Sequence, residues 1–428
     1  MKPLNELGAS ELAFLLERRE ITAEQVARAC LERIAAREPE VRAFAHLDSE
    51  RALAGARALD RATWRGPLHG LPVGVKDVID TFDYPTEYGS PIYAGHRPPA
   101  DAPCVALARA AGALVLGKTV TTEFATFPPG PTTNPHNPAH TPGGSSSGSA
   151  AAVADRMLPL AFGTQTGGSI IRPAAFCGVV GYKPTFGLVP RVGVKAISDS
   201  LDTVGVFARS VEDAALFAAA LTQREPLRIP SELSAPHLGM CLTPQWRAAK
   251  PETQKLFEDI GGHLARSGAR LTRLELPGEF EPLAELHATI WDFEIARCLA
   301  DEYLRHRDHI REPLRSQLAR GRAASADAYD AAQRTARVCR RKLTDAMRDC
   351  DALVVPAAPG EAPAGLASTG DSVFNRMWTL LHAPCISVPV RRGPLGLPLG
   401  VQVVGRIGQD ANALACAHWI QLSEARRF

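Results

Sequence analysis

Over the first sixty positions apolar residues recur at the three- and four-residue steps of a helix, most clearly in SELAFLLERR and TAEQVARACLERIAA. Ser10 is expected to cap the first of these helices and Thr22 the second, each placing a hydroxyl just ahead of the periodic run. From residue 60 the texture changes to runs of four or five apolar residues between glycines and prolines. LPVGVKDVID, GALVLGKTV and LPLAFGTQTGG are of this kind and predict buried strands, while DAPCVALARAAG reads as an intervening helix. From about 225 to 350 the pattern turns helical and charged (RAASADAYDAAQRTARVCRRKLTDAMRDC). DALVVP, PCISVPV and GVQVVG then return to strand.

This order predicts an α/β fold, one large mixed β-sheet surrounded by α-helices, with residues 1–428 as a single domain. N-terminal helices occupy 1–59, a core 60–225, a helical insertion 226–350, and strands that rejoin the first sheet 351–428. Gly-rich loops fall at the strand ends, where α/β proteins tend to place their sites.

Charge and cysteine usage narrow the function classes. Lys plus Arg number 48 against 46 Asp plus Glu, so no global field draws the chain to nucleic acid or an anionic membrane. Cysteines 30, 104, 177, 241, 298, 339, 350, 385 and 416 form no C-x-x-C pair, and the N-terminus lacks the apolar run of an export signal. Reduced thiols in a cytoplasm are expected. No segment reaches the roughly 20 consecutive apolar residues of a membrane helix. H-E-x-x-H is absent, and His306 and His309 sit in a charged run that reads as a solvated helix face, so no metal or other cofactor is expected.

Three stretches can carry chemistry. Lys76 follows the apolar run LPVGV. It is either a strand-end lysine whose ammonium reaches water or pairs with Asp77, or a desolvated, neutral lysine able to act as a base. TPGGSSSGSA, Thr141 to Ala150, has neither the lysine of a phosphate loop nor the disordered flanks of a linker, since an apolar helix-like run follows it. Ser169 lies in Thr166-Gly167-Gly168-Ser169. Two glycines there let backbone N–H groups converge as an oxyanion hole requires, and a turn whose serine caps the next helix is the plainer alternative. Cys177 has apolar flanks and reads as a packed thiol.

Taken in order, GVKD, PGGSSSGSAAAVA, GTQTGGSIIRPAAFCGVVGYKPT and LDTVGVFARSVEDAALF resemble the amidase signature family of hydrolases. Ser145 and Ser169 stand 24 positions apart, as in that family's pattern. The likeness covers roughly 60–225 and parts of the C-terminal strands. It implies a Ser–Ser–Lys triad: Ser169 as nucleophile, Lys76 as base, and Ser145, on a cis peptide bond, as the bridge between them. It also implies an oxyanion hole built from the backbone of Thr166, Gly167, Gly168 and Ser169.

Two positions depart from the common pattern. Gln165 stands where many members have Asp, and Ile171 stands where many have Arg, the arginine following at Arg172. The GGSxIRPAA variant resembles the malonamidase branch, which implies that Arg172 either binds a substrate carboxylate or makes an internal ion pair that orients its loop. The expected function is hydrolysis of a small-molecule amide by a stand-alone enzyme. The alternatives are the amidase subunit of a tRNA-dependent amidotransferase complex and a catalytically inactive member. The amphipathic N-terminal helices leave room for a homodimer contact.

Overall fold

The computed structural model describes residues 2–230 and 232–425. Its strands are β1 (Phe44–Leu47), β2 (Pro72–Lys76), β3 (Leu114–Thr119), β4 (Leu160–Gln165), β5 (Val180–Lys183), β6 (Thr203–Ala208), β7 (His237–Met240), β8 (Arg270–Arg273), β9 (Ala352–Pro356), β10 (Cys385–Arg392) and β11 (Pro398–Val404). All eleven join one mixed sheet in the order β1-β3-β2-β4-β6-β5-β10-β11-β9-β7-β8. Fourteen α-helices among the described residues flank it.

The centre of the sheet positions the site. Strands β2, β4 and β6 are buried along their whole length, which is why they read as nearly continuous apolar runs. β2 and β4 are parallel neighbours, with Val73 opposite Leu160 and Gly74 opposite Ala161. Their C-terminal ends therefore leave the sheet at the same edge, bringing Lys76 beside the loop after Gln165. Helix Ser147–Ala154 leads into β4 and contains only Ser, Gly, Ala and Val. A side chain on Gly148 would collide with the Ala43 carbonyl and the Val120 amide, so this helix lies close against its neighbours only because its residues are small.

The apolar periodicity places the N-terminal helices correctly, at Ala9–Glu17 and Ala23–Val41, and Thr22 caps the second through a capping box with Gln25. Ser10 is not a cap. Gly8 holds that position, and the Ser10 amide donates instead to Asp213 Oδ1 at 2.8 Å. A distant carboxylate replaces the local hydroxyl.

Two segments expected to be helical also supply strands. β1 lies within 1–59 and pairs antiparallel with β3; β7 and β8 lie within 226–350, where β7 runs parallel to both β8 and β9. These strands are four residues long. β8 is mostly exposed at the sheet edge, so no apolar run marks it.

Candidate active site

Lys76 ends β2 with its ammonium inside the protein. Lys76 and Ser145 are both 0 % exposed, and Ser169 is 8 % exposed. Lys76 Nζ donates to Ser145 Oγ and to Thr164 Oγ1, each at 2.7 Å. Asp77, its sequence neighbour, pairs with Lys118 Nζ at 3.3 Å. Among the described residues no carboxylate lies within ion-pair distance of Lys76. Burial pushes the Lys76 ammonium well below its ordinary value, with the Asp202 carboxylate pulling the other way. A lysine held by two hydroxyls in a dry site is suited to be neutral.

The serine run divides into separate tasks. The Gly144–Ser145 peptide is cis. Ser145 is the serine that meets Lys76. Ser146 Oγ lies 3.3 Å from both the amide and the carbonyl of Thr164. Ser147 donates to Val120 O at 3.4 Å, and Ser149 to Phe162 O at 2.7 Å. These three fasten the helix to the strands β3 and β4 and to the residue just after β3, which leaves Ser145 to face the lysine.

Ser169 stands between β4 and helix Ile171–Cys177. Among the described residues no hydrogen bond joins Ser145 Oγ to Ser169 Oγ, so the bridge implied by the resemblance is formed on the lysine side alone. Among the same residues the N–H groups of Gly167, Gly168 and Ser169 meet no acceptor, whereas those of Ile170 and Ile171 donate to Gln165 Oε1 at 2.8 and 3.0 Å. Three successive amides without acceptors are donors available to a negative oxygen. Gly168 admits no side chain: a Cβ there would stand 2.5 Å from Asn375 Oδ1 and 2.6 Å from Ser372 Cβ.

Thr166 is tied down on two sides. Its hydroxyl donates to Asp202 Oδ1 at 2.6 Å, and its carbonyl lies 2.7 Å from His287 Nε2. A carbonyl only accepts, so Nε2 carries the imidazole proton. Burial lowers the His287 pKa to about 4, the Thr166 hydrogen bond raising it and Arg376 lowering it further. Burial raises the Asp202 carboxyl to about 6, against the hydrogen bonds from Thr166, Ile197 and Ser198.

Arg172 lies close to this loop but has its own partners. Its guanidinium donates to Gly144 O at 2.6 Å, Thr369 Oγ1 at 3.0 Å and Gly370 O at 3.0 Å. Among the described residues it makes no ion pair. Burial lowers its pKa to about 10, with Arg376 acting in the same direction. Cys177 is packed, its thiol donating to Pro142 O at 3.3 Å, and burial pushes that thiol up.

Sequence reasoning brought Lys76, Ser145 and the Thr166–Ser169 loop to one place. It missed Asp202, His287, Thr379, whose hydroxyl donates to Gly167 O at 2.9 Å, and what Gln165 does. LDTVGVF already held Asp202. His287 and Thr379 lie in helical text, ELHATIWDF and MWTLLH, with nothing local to mark them.

A family model described as Amidase matches residues 25–414. A glutamyl-tRNA(Gln) amidotransferase subunit from Salinispora arenicola (strain CNS-205) is 36% identical over 468 aligned positions, covering 94% of this chain and 94% of that one. A crystal structure of an amidase matches with a TM-score of 0.89 at 32% identity, over 97% of this chain and 99% of that one. Native peptide amidase from Stenotrophomonas maltophilia matches with a TM-score of 0.85 at 30% identity, over 98% and 97%.

Proposed function

The chain belongs to the amidase signature family of amide-bond hydrolases, and on that premise we propose that it hydrolyses a small-molecule carboxylic amide through an acyl-enzyme on Ser169. The observation that carries this reading is the fully buried Lys76, its Nζ 2.7 Å from Ser145 Oγ, beside a loop whose amides at Gly167, Gly168 and Ser169 are free.

In this mechanism Ser169 Oγ attacks the amide carbon as its proton passes to Ser145 Oγ and the Ser145 proton passes to neutral Lys76. The Ser169-to-Ser145 contact closes in the reacting complex, as catalytic hydrogen bonds commonly do once substrate is seated. The new oxyanion is held by the free amides. Lys76 then returns a proton through Ser145 to the leaving nitrogen, and ammonia or an amine departs. Water attacks the acyl-enzyme by the same route in reverse, and Ser169 leaves with its proton restored.

Arg172 serves this site by holding the Gly144 carbonyl, next to Ser145, against the 369–370 loop. A malonamidase-type role would put a substrate carboxylate on the donors those bonds leave over, Nε among them, whereas the hold on Gly144 serves every substrate alike. Arg172→Ala is therefore expected to weaken acidic and neutral amides alike. Selective loss on acidic amides would restore the carboxylate role.

Purified chain assayed on a panel of simple amides, with a fluorophosphonate probe in parallel, tests the reading. Ser169→Ala is expected to abolish labelling and to lower kcat by at least about 10³-fold. Retained hydrolysis in folded Ser169→Ala would overturn the proposal. The likeness to an amidotransferase component over nearly the whole chain sustains a second reading, in which the protein delivers ammonia within a complex. Ammonia release from glutamine only when partner proteins are added would favour it.

A further inference from the structure

The free amides after β4 have matching carbonyls, and each carbonyl is held. Thr166 O accepts from His287 Nε2 at 2.7 Å, Gly167 O from Thr379 Oγ1 at 2.9 Å, and Gly168 O from the Arg172 amide at 2.9 Å. The peptides here are trans; the cis bonds among the described residues are Gly144–Ser145 and Glu312–Pro313. In a trans peptide plane the C=O of one residue and the N–H of the next point in opposite directions. A donor on each carbonyl therefore turns the following N–H away from that donor, and those are the N–H groups of Gly167, Gly168 and Ser169.

We propose that His287 and Thr379 are positioning residues that set the oxyanion hole by clamping the two carbonyls behind it, an inference that rests on the acyl-enzyme reading above. Leaving successive buried N–H groups without acceptors is costly, because each has given up its water partner and gained none. Glycines at 167 and 168 would let the loop relax if nothing restrained it. The clamp prevents that relaxation, so the donors wait for a charge that appears only in the transition state.

Gln165 determines which way the Thr379 hydroxyl points. The Gln165 oxygen is taken by the amides of Ile170 and Ile171, so its Nε2 must face Thr379 Oγ1, which it reaches at 2.9 Å. Thr379 accepts from that nitrogen, and its own hydrogen goes to Gly167 O in preference to Asn375 O, which is farther at 3.3 Å. A carboxylate at 165 would instead attract the Thr379 hydrogen and release Gly167 O. His287 works on the other carbonyl as a neutral donor from helix Leu283–Cys298. Neither residue is required to touch substrate.

The test compares Thr379→Val with Thr379→Ser, and His287→Phe with His287→Gln, in the full chain. Each variant is measured for kcat and KM on the best amide of the panel and for the rate of fluorophosphonate labelling. Thr379→Val and His287→Phe are expected to lower kcat and the labelling rate together by about 10- to 100-fold, below the cost of deleting a donor outright, with KM within about threefold. Thr379→Ser and His287→Gln, which keep a donor, recover most of the loss. Gln165→Glu is expected to mimic Thr379→Val and carries the test if that variant does not fold. Folded Val and Phe variants with wild-type kcat and labelling would overturn the clamp, as would a loss confined to KM. Hydrolysis surviving Ser169→Ala would instead overturn the reading on which the clamp rests.

Discussion

At the scale of single residues the proposed mechanism depends on a lysine that must lose its charge. Lys76 gives up hydration for two hydroxyl acceptors, and burial lowers its pKa well below the ordinary 10.5. The protonated lysine cannot take the Ser145 proton, so kcat/KM is expected to rise with pH and reach its plateau well below pH 10.5. Asp202 raises the Lys76 pKa by its negative charge. Asp202→Asn should therefore move this limb to lower pH, because a proton leaves the lysine more easily without the nearby anion. A pH–rate profile of the two proteins checks the sign; an unmoved or upward-shifted limb would remove Lys76 from the role of base. The lysine was legible in the sequence as one of two readings. Only packing, which surrounds it with hydroxyls and sends Asp77 to Lys118, separates them.

At the scale of elements, helix Leu283–Cys298 has a role its sequence does not announce. Besides His287 it carries the buried Glu294, whose carboxylate accepts from Ser198 Oγ, from the Ser200 amide at 3.0 Å, from Ser200 Oγ at 2.7 Å and from Tyr329 OH at 2.8 Å. The helix thereby grips the segment that carries Asp202 and, through it, Thr166. Glu294→Ala leaves several buried donors without an acceptor and is expected to cost about 3 kcal/mol. Urea denaturation should show the midpoint falling with little change in slope. A loss below about 1 kcal/mol would mean the carboxylate does not hold these elements together. Through His287 the helix supports the Thr166–Ser169 loop, a relation between residues 121 positions apart that no local pattern can encode.

At the scale of the molecule, the continuous sheet ties distant parts of the chain together. β7 and β8 come from the middle, yet β7 pairs with β9, which pairs with β11, and β10 joins that pair to β5 near the centre. Unfolding is therefore expected as one cooperative transition. Far-UV circular dichroism and the fluorescence of Trp64, Trp246, Trp291, Trp378 and Trp419 should give coincident curves. A separate early transition in variants that retain only Trp246 would show that the middle segment folds independently.

The sequence by itself determined the α/β class, the buried central strands, the Thr22 cap, and the small set of residues from which Lys76, Ser145 and the Gly167–Ser169 loop could be chosen. Each of these is written in contiguous residues, as an apolar run, a hydroxyl ahead of a helix or a glycine pair. Tertiary structure alone decided that Asp213 would take the amide of Ser10, which was itself expected to be the cap, that β8 would form at an exposed edge, and that Arg172 would hold carbonyls. It also decided that His287 and Thr379 would lie behind the free amides. The physical reason is the same throughout: a hydrogen-bond partner brought from tens to more than two hundred residues away is selected by distance in the folded chain, and sequence order carries no record of that distance.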